Sequence, residues 1–215
     1  MRVRVKICGI TRPEGALVAA EAGADAIGLV LASSPRRVTA EEARQIVRVL
    51  PPWVTPVGVF VDAPADEILK RAAETGFTAV QLHGDEPPET VAALGSLKVI
   101  KAFRIGADPD IEAAREWRIA CERLGRRPDA YLVDARVPQG PMGGTGKPVD
   151  WILAARMITE FSPLILAGGL GPENVAEAIR RVRPWGVDGS SGLESIPRVK
   201  DPARVRAFVA AAGEA

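Results

Sequence analysis

The sequence predicts an α/β protein that folds as a compact (β/α)8 barrel, the TIM-barrel architecture, in a single domain over residues 1–215. Short β-type runs alternate with helical stretches along the whole chain, and such alternation produces parallel strands joined by right-handed crossovers. Eight strand–helix units share the 215 residues, which leaves about 27 residues for each unit, close to the lower size limit of a closed barrel. Residues 21–27 (EAGADAI) and 74–80 (ETGFTAV) also read alike, two units apart.

Local sequence signals mark each unit. The predicted strands are 3–8, 24–31, 56–61, 78–83, 97–103, 130–134, 163–167 and 186–189. The predicted helices are 14–22, 40–50, 65–75, 87–95, 110–124, 149–160, 172–182 and 202–212. Thr39 and Pro64 precede acidic first turns, and Pro172 is placed in the first turn of the seventh helix, as is typical of helix starts.

A doubly wound open sheet is the structural alternative. A dinucleotide-binding sheet would carry Gly-x-Gly-x-x-Gly after its first strand, and this chain does not. In the first strand Val5 and Ile7 share one face, whereas Arg4, Lys6 and Cys8 share the other. In a barrel the apolar face meets the helices, so the polar face points inward. Cys8 then stands at the carboxyl end of the strand, where active sites of this architecture lie.

Composition excludes several classes of protein. Hydrophobic residues make up 47% and charged residues 26% of the chain, as in a well-cored globular protein. The net charge of +1 gives no whole-surface reason to bind nucleic acid or an anionic membrane. The chain has two cysteines far apart in sequence and a single histidine, which are too few to form a zinc site of cysteine and histidine ligands. We therefore expect no metal. Unpaired cysteines and the absence of a targeting or spanning segment favour the cytoplasm.

Two strand-end residues are candidates for acid–base chemistry. Cys8 ends the first strand on its polar face and is followed by a glycine. A thiol in this position can act as a base or a nucleophile. The alternative is that Cys8 is a small buried hydrophobic residue, as most free cysteines are. Asp134 ends the sixth strand, where a carboxylate fits either an acid–base role or a loop cap. Cys121 lies inside the fifth helix and is interpreted as structural.

Glycines and serines follow the last two strands and indicate a phosphate site. Gly168 and Gly169 close strand seven, and Ser190 and Ser191 close strand eight. Their backbone N–H groups and hydroxyls suit an anion at the usual phosphate position of this barrel, although the glycines could serve only tight turns. Residues 139–147 (QGPMGGTGK) fail the Walker A pattern and are interpreted as a Gly-rich loop over the barrel mouth.

Charged residues elsewhere are less specific. Arg36 and Arg37 follow strand two, and one of them could clamp a substrate carboxylate, although a solvated loop pair fits equally well. His83 ends strand four, where a lone histidine is more often structural. The charged pairs at 85–86 and 180–181 are interpreted as solvated.

These features, in this order and at these spacings, resemble the phosphoribosylanthranilate isomerase family of tryptophan biosynthesis. The resemblance runs the whole length of the chain. The matching segments are residues 6–11 (KICGIT), 23–28 (GADAIG), 34–37 (SPRR), 57–61 (VGVFV), 80–84 (VQLHG), 134 with 143–147 (GGTGK) and 150–151 (DW), 167–170 (AGGL) with 172–175 (PENV), and 188 with 190–192 (SSG).

The resemblance implies an Amadori rearrangement without a cofactor, acting on the phosphosugar N-(5-phosphoribosyl)anthranilate. By position, Cys8 matches the general base and Asp134 the general acid, and Arg37 rather than Arg36 matches the contact to the anthranilate group. The positions that line the substrate are His83 and Asp188. These roles require a partly ionised Cys8 and a partly protonated Asp134, so their pKa values are expected to shift in opposite directions.

Two departures from the family pattern affect the loops. Gly189 replaces an apolar or β-branched residue and is expected to loosen the phosphate loop. The usual glycine before Lys200 and Asp201 is missing, because the chain reads PRVKD over residues 197–201.

Three other functions are weighed against this one. Indole-glycerol-phosphate synthase would be expected to carry catalytic lysine and glutamate residues and an N-terminal extension. A pentose-phosphate epimerase would need several metal-ligating histidines, and His83 is the only histidine. A barrel that binds phosphate without turnover would not need Cys8 and Asp134 at strand ends. Nothing in the sequence decides between a monomer and a homodimer.

Overall fold

The computed structural model describes residues 2–135 and 150–215, which form a closed barrel. Strands β1 to β8 are parallel and hydrogen-bonded in chain order, and β8 pairs back onto β1. The predicted (β/α)8 barrel is confirmed, and an open sheet is excluded. The Gly-rich loop predicted at 139–147 lies outside the described residues.

The elements alternate along the chain as the sequence predicts. The barrel strands are β1 Arg4–Cys8, β2 Ala26–Val30, β3 Thr55–Phe60, β4 Ala79–Leu82, β5 Lys98–Ile105, β6 Ala130–Ala135, β7 Leu164–Leu166 and β8 Gly186–Gly189. The helices are α1 Pro13–Glu21, α2 Ala40–Arg48, α3 Ala65–Thr75, α4 Pro88–Ala93, α5 Asp108–Arg123, α6 Trp151–Met157, α7 Val175–Val182 and α8 Pro202–Gly213.

The predicted helix starts are confirmed at α2 and α3 but not at α7. Thr39 caps α2 in a reciprocal capping box with Glu42, and Pro64 is the N-cap of α3. Helix α7 begins at Val175, three residues after Pro172. The intervening turn forms because Asn174 bonds back to the preceding loop, so the proline precedes the helix instead of starting it.

After β8 the chain adds a short hairpin that the sequence analysis did not predict. A 3-10 turn at Ser191–Leu193 leads into strands β9 (Glu194–Ile196) and β10 (Val199–Lys200), which pair antiparallel. Pro197 and Arg198 make the turn between them, and Arg198 has a φ of 76°. A glycine adopts this left-handed conformation without strain, which gives a physical reason for the glycine usual in the family near this position.

The apolar core lies mainly between the strands and the surrounding helices. Val5 and Ile7 of β1 are buried in this layer, whereas Lys6 and Cys8 are buried at the alternating positions that face the barrel interior. The predicted orientation of the first strand is confirmed. Cys121 is also buried in the core, as predicted, and neither cysteine is in a disulfide.

Within the part of the chain that the structure describes, no helix has the length and apolar character needed to cross a membrane.

Candidate active site

A cavity opens at the carboxyl ends of the barrel strands, with a volume of about 800 Å³ including the part that meets solvent. This is the face where active sites of such barrels lie. Eight of the nine residues predicted for the site line it. They are Cys8, His83, Asp134, Gly168, Gly169, Asp188, Ser190 and Ser191. The ninth, Arg37, is not among the lining residues.

Cys8 lies beside a buried ion pair. Lys6 Nζ donates to Asp188 Oδ2 across 2.9 Å, and both side chains are almost fully buried. The same ammonium group stabilises the Cys8 thiolate through charge and hydrogen bonding. Gly28 on β2 leaves the space for this arrangement, because an added Cβ would lie 2.6 Å from Cys8 Sγ and 3.1 Å from Lys6 Nζ.

Burial sets the direction of the pKa shifts of Cys8 and Asp188. It raises the pKa of Cys8, because the favourable charges of Lys6 and Lys200 do not offset the loss of solvent, and the Asp188 carboxylate adds to the rise. Burial likewise raises the pKa of Asp188 against the opposing effect of Lys6. The expectation of a lowered pKa at Cys8 is therefore wrong. The sequence shows the lysine beside the cysteine but not the depth at which both are buried.

A second chain of polar groups runs from β4 to β6. Gln81 Nε2 lies 2.6 Å from His83 Nδ1, and His83 Nε2 lies 3.4 Å from Asp134 Oδ2. Gln81 also lines the cavity, although the sequence analysis did not single it out as a site residue. Its signal is the spacing of two from His83, because alternate residues of a strand share one face.

The loops after β7 and β8 line the cavity between the strand of Asp134 and the strand of Cys8. Gly168 and Gly169 have φ values of 86° and 65°. Asn174 donates to the carbonyl of Gly169 and fixes the first loop. The two loops touch, since a Cβ added to Gly192 would lie 2.5 Å from the carbonyl oxygen of Leu170. Their glycines and serines therefore enclose one small polar space.

Comparison with known proteins decides the family. The family model described as N-(5'phosphoribosyl)anthranilate (PRA) isomerase matches residues 5–211. The chain belongs to the phosphoribosylanthranilate isomerase family. It is an isomerase with the TIM-barrel fold of that family, so the predicted family and enzyme class are confirmed.

Similar proteins match over nearly their entire length. The N-(5'-phosphoribosyl)anthranilate isomerase of Geobacter sulfurreducens is 49% identical over 208 residues, which cover 96% of this chain and 97% of the relative. That of Rubrobacter xylanophilus is 47% identical over 212 residues, covering 97% and 98%.

Solved structures of phosphoribosylanthranilate isomerases also match. The Thermotoga maritima enzyme superposes with a TM-score of 0.88 at 42% identity, covering 99% of this chain and all of that one. Another, solved in complex with reduced 1-(o-carboxyphenylamino)-1-deoxyribulose 5-phosphate, gives 0.85 at 40% identity, with the same coverage.

Among the residues that the structure describes, the arginine that lines the cavity is Arg36. Arg36 donates two hydrogen bonds, of 2.7 and 2.8 Å, to the carboxylate of Glu194 on the hairpin. Arg37 is exposed, and its backbone forms a bridge with Val30 at the end of β2. The two neighbours thus face different surroundings, and the structure brings Arg36 rather than Arg37 to the site.

Glu194 connects Arg36 to the loop after β8. Its carboxylate also accepts a hydrogen bond from Lys200 Nζ at 3.1 Å, and Lys200 donates to the carbonyl of Ser190 at 3.0 Å. Burial alone would raise the pKa of Glu194, but Arg36 and Lys200 outweigh it and lower this pKa. Glu194 therefore remains ionised and holds both cations at the cavity edge.

The two departures from the family pattern are accommodated by packing. A Cβ added to Gly189 would lie 2.6 Å from Leu193 and 3.1 Å from Phe208, so these two side chains occupy the space of the missing one. This packing argues against the loosening expected of Gly189. Arg198, with its positive φ, donates to the carbonyl of Pro35 and so ties the hairpin turn to the loop that carries Arg36.

Glu86 was interpreted from the sequence as solvated charge, and this interpretation is wrong. Its side chain is 2% exposed and pairs with the buried Lys101 at 2.7 Å. It also accepts hydrogen bonds from the backbone of Gly84 and Asp62. Asp85 is exposed, as predicted. The Glu86–Lys101 pair thus fixes the loop directly after His83.

Proposed function

We propose that this cavity converts N-(5-phosphoribosyl)anthranilate to 1-(2-carboxyphenylamino)-1-deoxyribulose 5-phosphate, a step of L-tryptophan biosynthesis. Cys8 is the general base and Asp134 the general acid. One observation carries the proposal: both side chains open into a single cavity, and the paired Gly and Ser loops after β7 and β8 line it between their two strands. A similar isomerase was solved with the reduced form of this product.

The reaction begins with opening of the sugar ring. A protonated Asp134 donates its proton to the furanose ring oxygen while the bond between that oxygen and C1 breaks. The lone pair of the anthranilate nitrogen forms the C1–N double bond, so the product of this step is an open-chain protonated imine. General acid catalysis of this kind contributes about 10²- to 10⁴-fold to a rate.

Proton transfer at C2 completes the rearrangement. The imine acidifies the C2 proton, the Cys8 thiolate removes it, and the released electron pair forms a C1–C2 double bond while the nitrogen recovers its lone pair. The resulting enolamine becomes the ketone as C1 gains a proton and the C2 hydroxyl loses one. C1 is reduced and C2 is oxidised, so the reaction needs no external redox cofactor.

The raised pKa of Cys8 affects this step in two ways. It makes the thiolate scarcer near neutral pH, and it makes each thiolate a stronger base. Lys6 offsets part of the scarcity, because its charge favours the ionised form of Cys8.

Binding is divided between the two walls of the cavity. The 5-phosphate is held by Gly168, Gly169, Ser190 and Ser191, whose backbone N–H groups and hydroxyls suit a dianion. Arg36 clamps the anthranilate carboxylate, since it lines the cavity and presents a planar donor group. Arg37, the position that the resemblance implied, is the alternative.

The sugar hydroxyls are bound by polar side chains in the centre of the cavity. Asp188 Oδ1 is buried without a hydrogen-bond partner among the described residues, and His83 lines the same cavity. Buried polar atoms are normally hydrogen-bonded, which supports a role for Asp188 as acceptor from a substrate hydroxyl.

Assembly and location complete the proposal. The chain works as a monomer or homodimer in the cytoplasm and has no nucleic-acid partner, which its net charge of +1 supports. A dimeric form is described for the Thermotoga maritima isomerase. Gel filtration with light scattering distinguishes the two assembly states.

The activity is tested with freshly prepared phosphoribosylanthranilate in an assay coupled to a downstream enzyme that consumes the aminoketose. We expect turnover by the wild type and strong losses in Cys8→Ala and Asp134→Asn. A wild-type protein that binds the substrate but gives no aminoketose would instead support a barrel that binds phosphate without turnover.

A further inference from the structure

Gln81 and His83 make a short contact whose proton can be assigned. Both side chains are buried, at 1% and 9% exposure, and Gln81 Nε2 lies 2.6 Å from His83 Nδ1. An amide nitrogen carries two protons and accepts no hydrogen bond. Gln81 is therefore the donor in this contact, and His83 Nδ1 is the acceptor.

The accepting nitrogen determines the tautomer of the imidazole. A neutral imidazole carries one proton, and when Nδ1 accepts a hydrogen bond that proton is on Nε2. His83 Nε2 lies 3.4 Å from Asp134 Oδ2 and has no hydrogen-bond partner among the described residues. The Nε2–H group is thus placed next to the carboxyl group of Asp134.

We infer that Gln81 is a positioning residue that acts on the general acid through the histidine tautomer: it holds His83 as the Nε2–H form, with Nε2 3.4 Å from Asp134 Oδ2. This inference rests on the proposed role of Asp134. With this tautomer an N–H group lies next to Oδ2, which disfavours a proton on that oxygen, so we expect the acid proton on Oδ1.

The other tautomer would impair the acid. An unprotonated Nε2 can only accept a hydrogen bond, and the carboxyl group of Asp134 lies 3.4 Å from it. His83 would then compete with the furanose ring oxygen for the proton that ring opening needs. The tautomer of His83 thus decides whether Asp134 directs its proton to the substrate or to the imidazole.

The chain suits a direct measurement, because His83 is its only histidine. Incorporation of ¹⁵N-labelled histidine gives one pair of imidazole nitrogen signals, and two-dimensional ¹H–¹⁵N spectra distinguish the two tautomers. At about pH 9, where free imidazole is neutral, we expect the Nε2–H tautomer in the wild type. An Nδ1–H tautomer would overturn the inference, because Gln81 would then present its oxygen to the ring.

Two variants test whether Gln81 sets the tautomer. Gln81→Glu keeps the shape but only accepts, so we expect the proton to move to Nδ1. Gln81→Met removes the donor, so we expect a mixture of tautomers. The control is Gln45→Glu, the same change at an exposed position of α2, which should leave the spectrum unchanged. If the Nε2–H signal persists in both Gln81 variants, the inference is wrong.

Kinetics connect the tautomer to function. A wrong histidine tautomer lowers kcat about 10⁴-fold in serine proteases. Since His83 acts here through Asp134, we expect a loss of about 10- to 100-fold in kcat for Gln81→Glu. Full activity in a variant whose spectrum shows the Nδ1–H form would overturn the positioning role.

The tautomer assignment and the proposed function can be contradicted independently of each other. The tautomer is measured without turnover, so a wild type in the Nε2–H form together with a fully active Asp134→Asn would contradict the acid role of Asp134 and leave the tautomer assignment intact. An inactive Asp134→Asn with a wild type in the Nδ1–H form would contradict only the assignment to Gln81.

Discussion

Lys6 on the first barrel strand donates to Asp188 on the last strand across 2.9 Å, and the two buried side chains join the seam where the barrel closes. A buried ion pair is stabilising only when both partners are present, because an unpaired buried charge costs several kcal/mol. The same ammonium group favours the thiolate of Cys8. Lys6 therefore contributes both to the closure of the barrel and to the ionisation of Cys8.

Replacing Lys6 shifts the pH dependence of catalysis. Lys6 lowers the pKa of Cys8, although burial keeps that pKa raised overall. In Lys6→Met the pKa of Cys8 rises further, so the acidic limb of the kcat/KM profile moves to higher pH and activity at neutral pH falls. Lys98→Met, which removes an exposed ion pair with Asp129, is the control. An acidic limb that stays in place or moves to lower pH would exclude this role of Lys6.

Cys8 variants test the base itself. Cys8→Ala is expected to lower kcat by at least about 10²-fold, the usual scale of a general base, with little change in KM. Cys8→Ser should lose nearly as much, because a hydroxyl group does not ionise near neutral pH. Steady-state kinetics in the coupled assay measure both. Near wild-type turnover in Cys8→Ala would return Cys8 to a structural role.

Variants of the adjacent residues Arg36 and Arg37 test which arginine binds the carboxylate of the anthranilate group. Arg36 lines the cavity and Arg37 is exposed. Hydrogen bonds to charged groups contribute about 1.5–3 kcal/mol, so Arg36→Gln is expected to raise KM by about 10- to 100-fold. Arg37→Gln should leave KM within about threefold. The opposite pattern in Michaelis–Menten measurements would restore Arg37 as the contact to the anthranilate group.

Variants of Glu86 and Asp85 compare the contributions of a buried and an exposed ion pair to the free energy of unfolding. Glu86→Gln leaves Lys101 buried without its partner, which is expected to cost about 3–5 kcal/mol in the free energy of unfolding. Asp85→Asn removes an exposed pair with Arg104, and such pairs contribute about 0–1 kcal/mol. Urea unfolding of both variants measures the difference. Equal midpoints would show that the buried pair contributes no more than the surface one.

The fold was predictable because apolar runs and helix starts alternate regularly along the sequence. Eight strands and eight helices follow from the alternation of apolar runs and helix starts, and the repeated segments at 21–27 and 74–80 both join a helix to a strand. Their glycines, Gly23 and Gly76, both have positive φ values just after a helix ends. The hairpin of β9 and β10 was missed because strands of three and two residues are too short to show a period.

The site was only partly predictable because side-chain direction in loops has no period. Adjacent Arg36 and Arg37 cannot be distinguished by spacing, whereas in the structure Arg36 pairs with Glu194 and Arg37 is exposed. Glu86 seemed solvated because its partner, Lys101, lies on the next strand and is not adjacent in sequence. The direction of the Cys8 pKa shift depends on burial, which the sequence of one strand does not reveal.

The central claim, that Asp134 opens the sugar ring and Cys8 moves the C2 proton, is tested most directly by the kcat of Asp134→Asn on two substrates. One is ring-closed phosphoribosylanthranilate, and the other is an N-aryl aminosugar held open as the imine. We predict a loss of about 10²- to 10⁴-fold on the closed substrate, little change on the open one, and dependence of both reactions on Cys8. An equal loss on both substrates would contradict the assignment of Asp134 as the ring-opening acid.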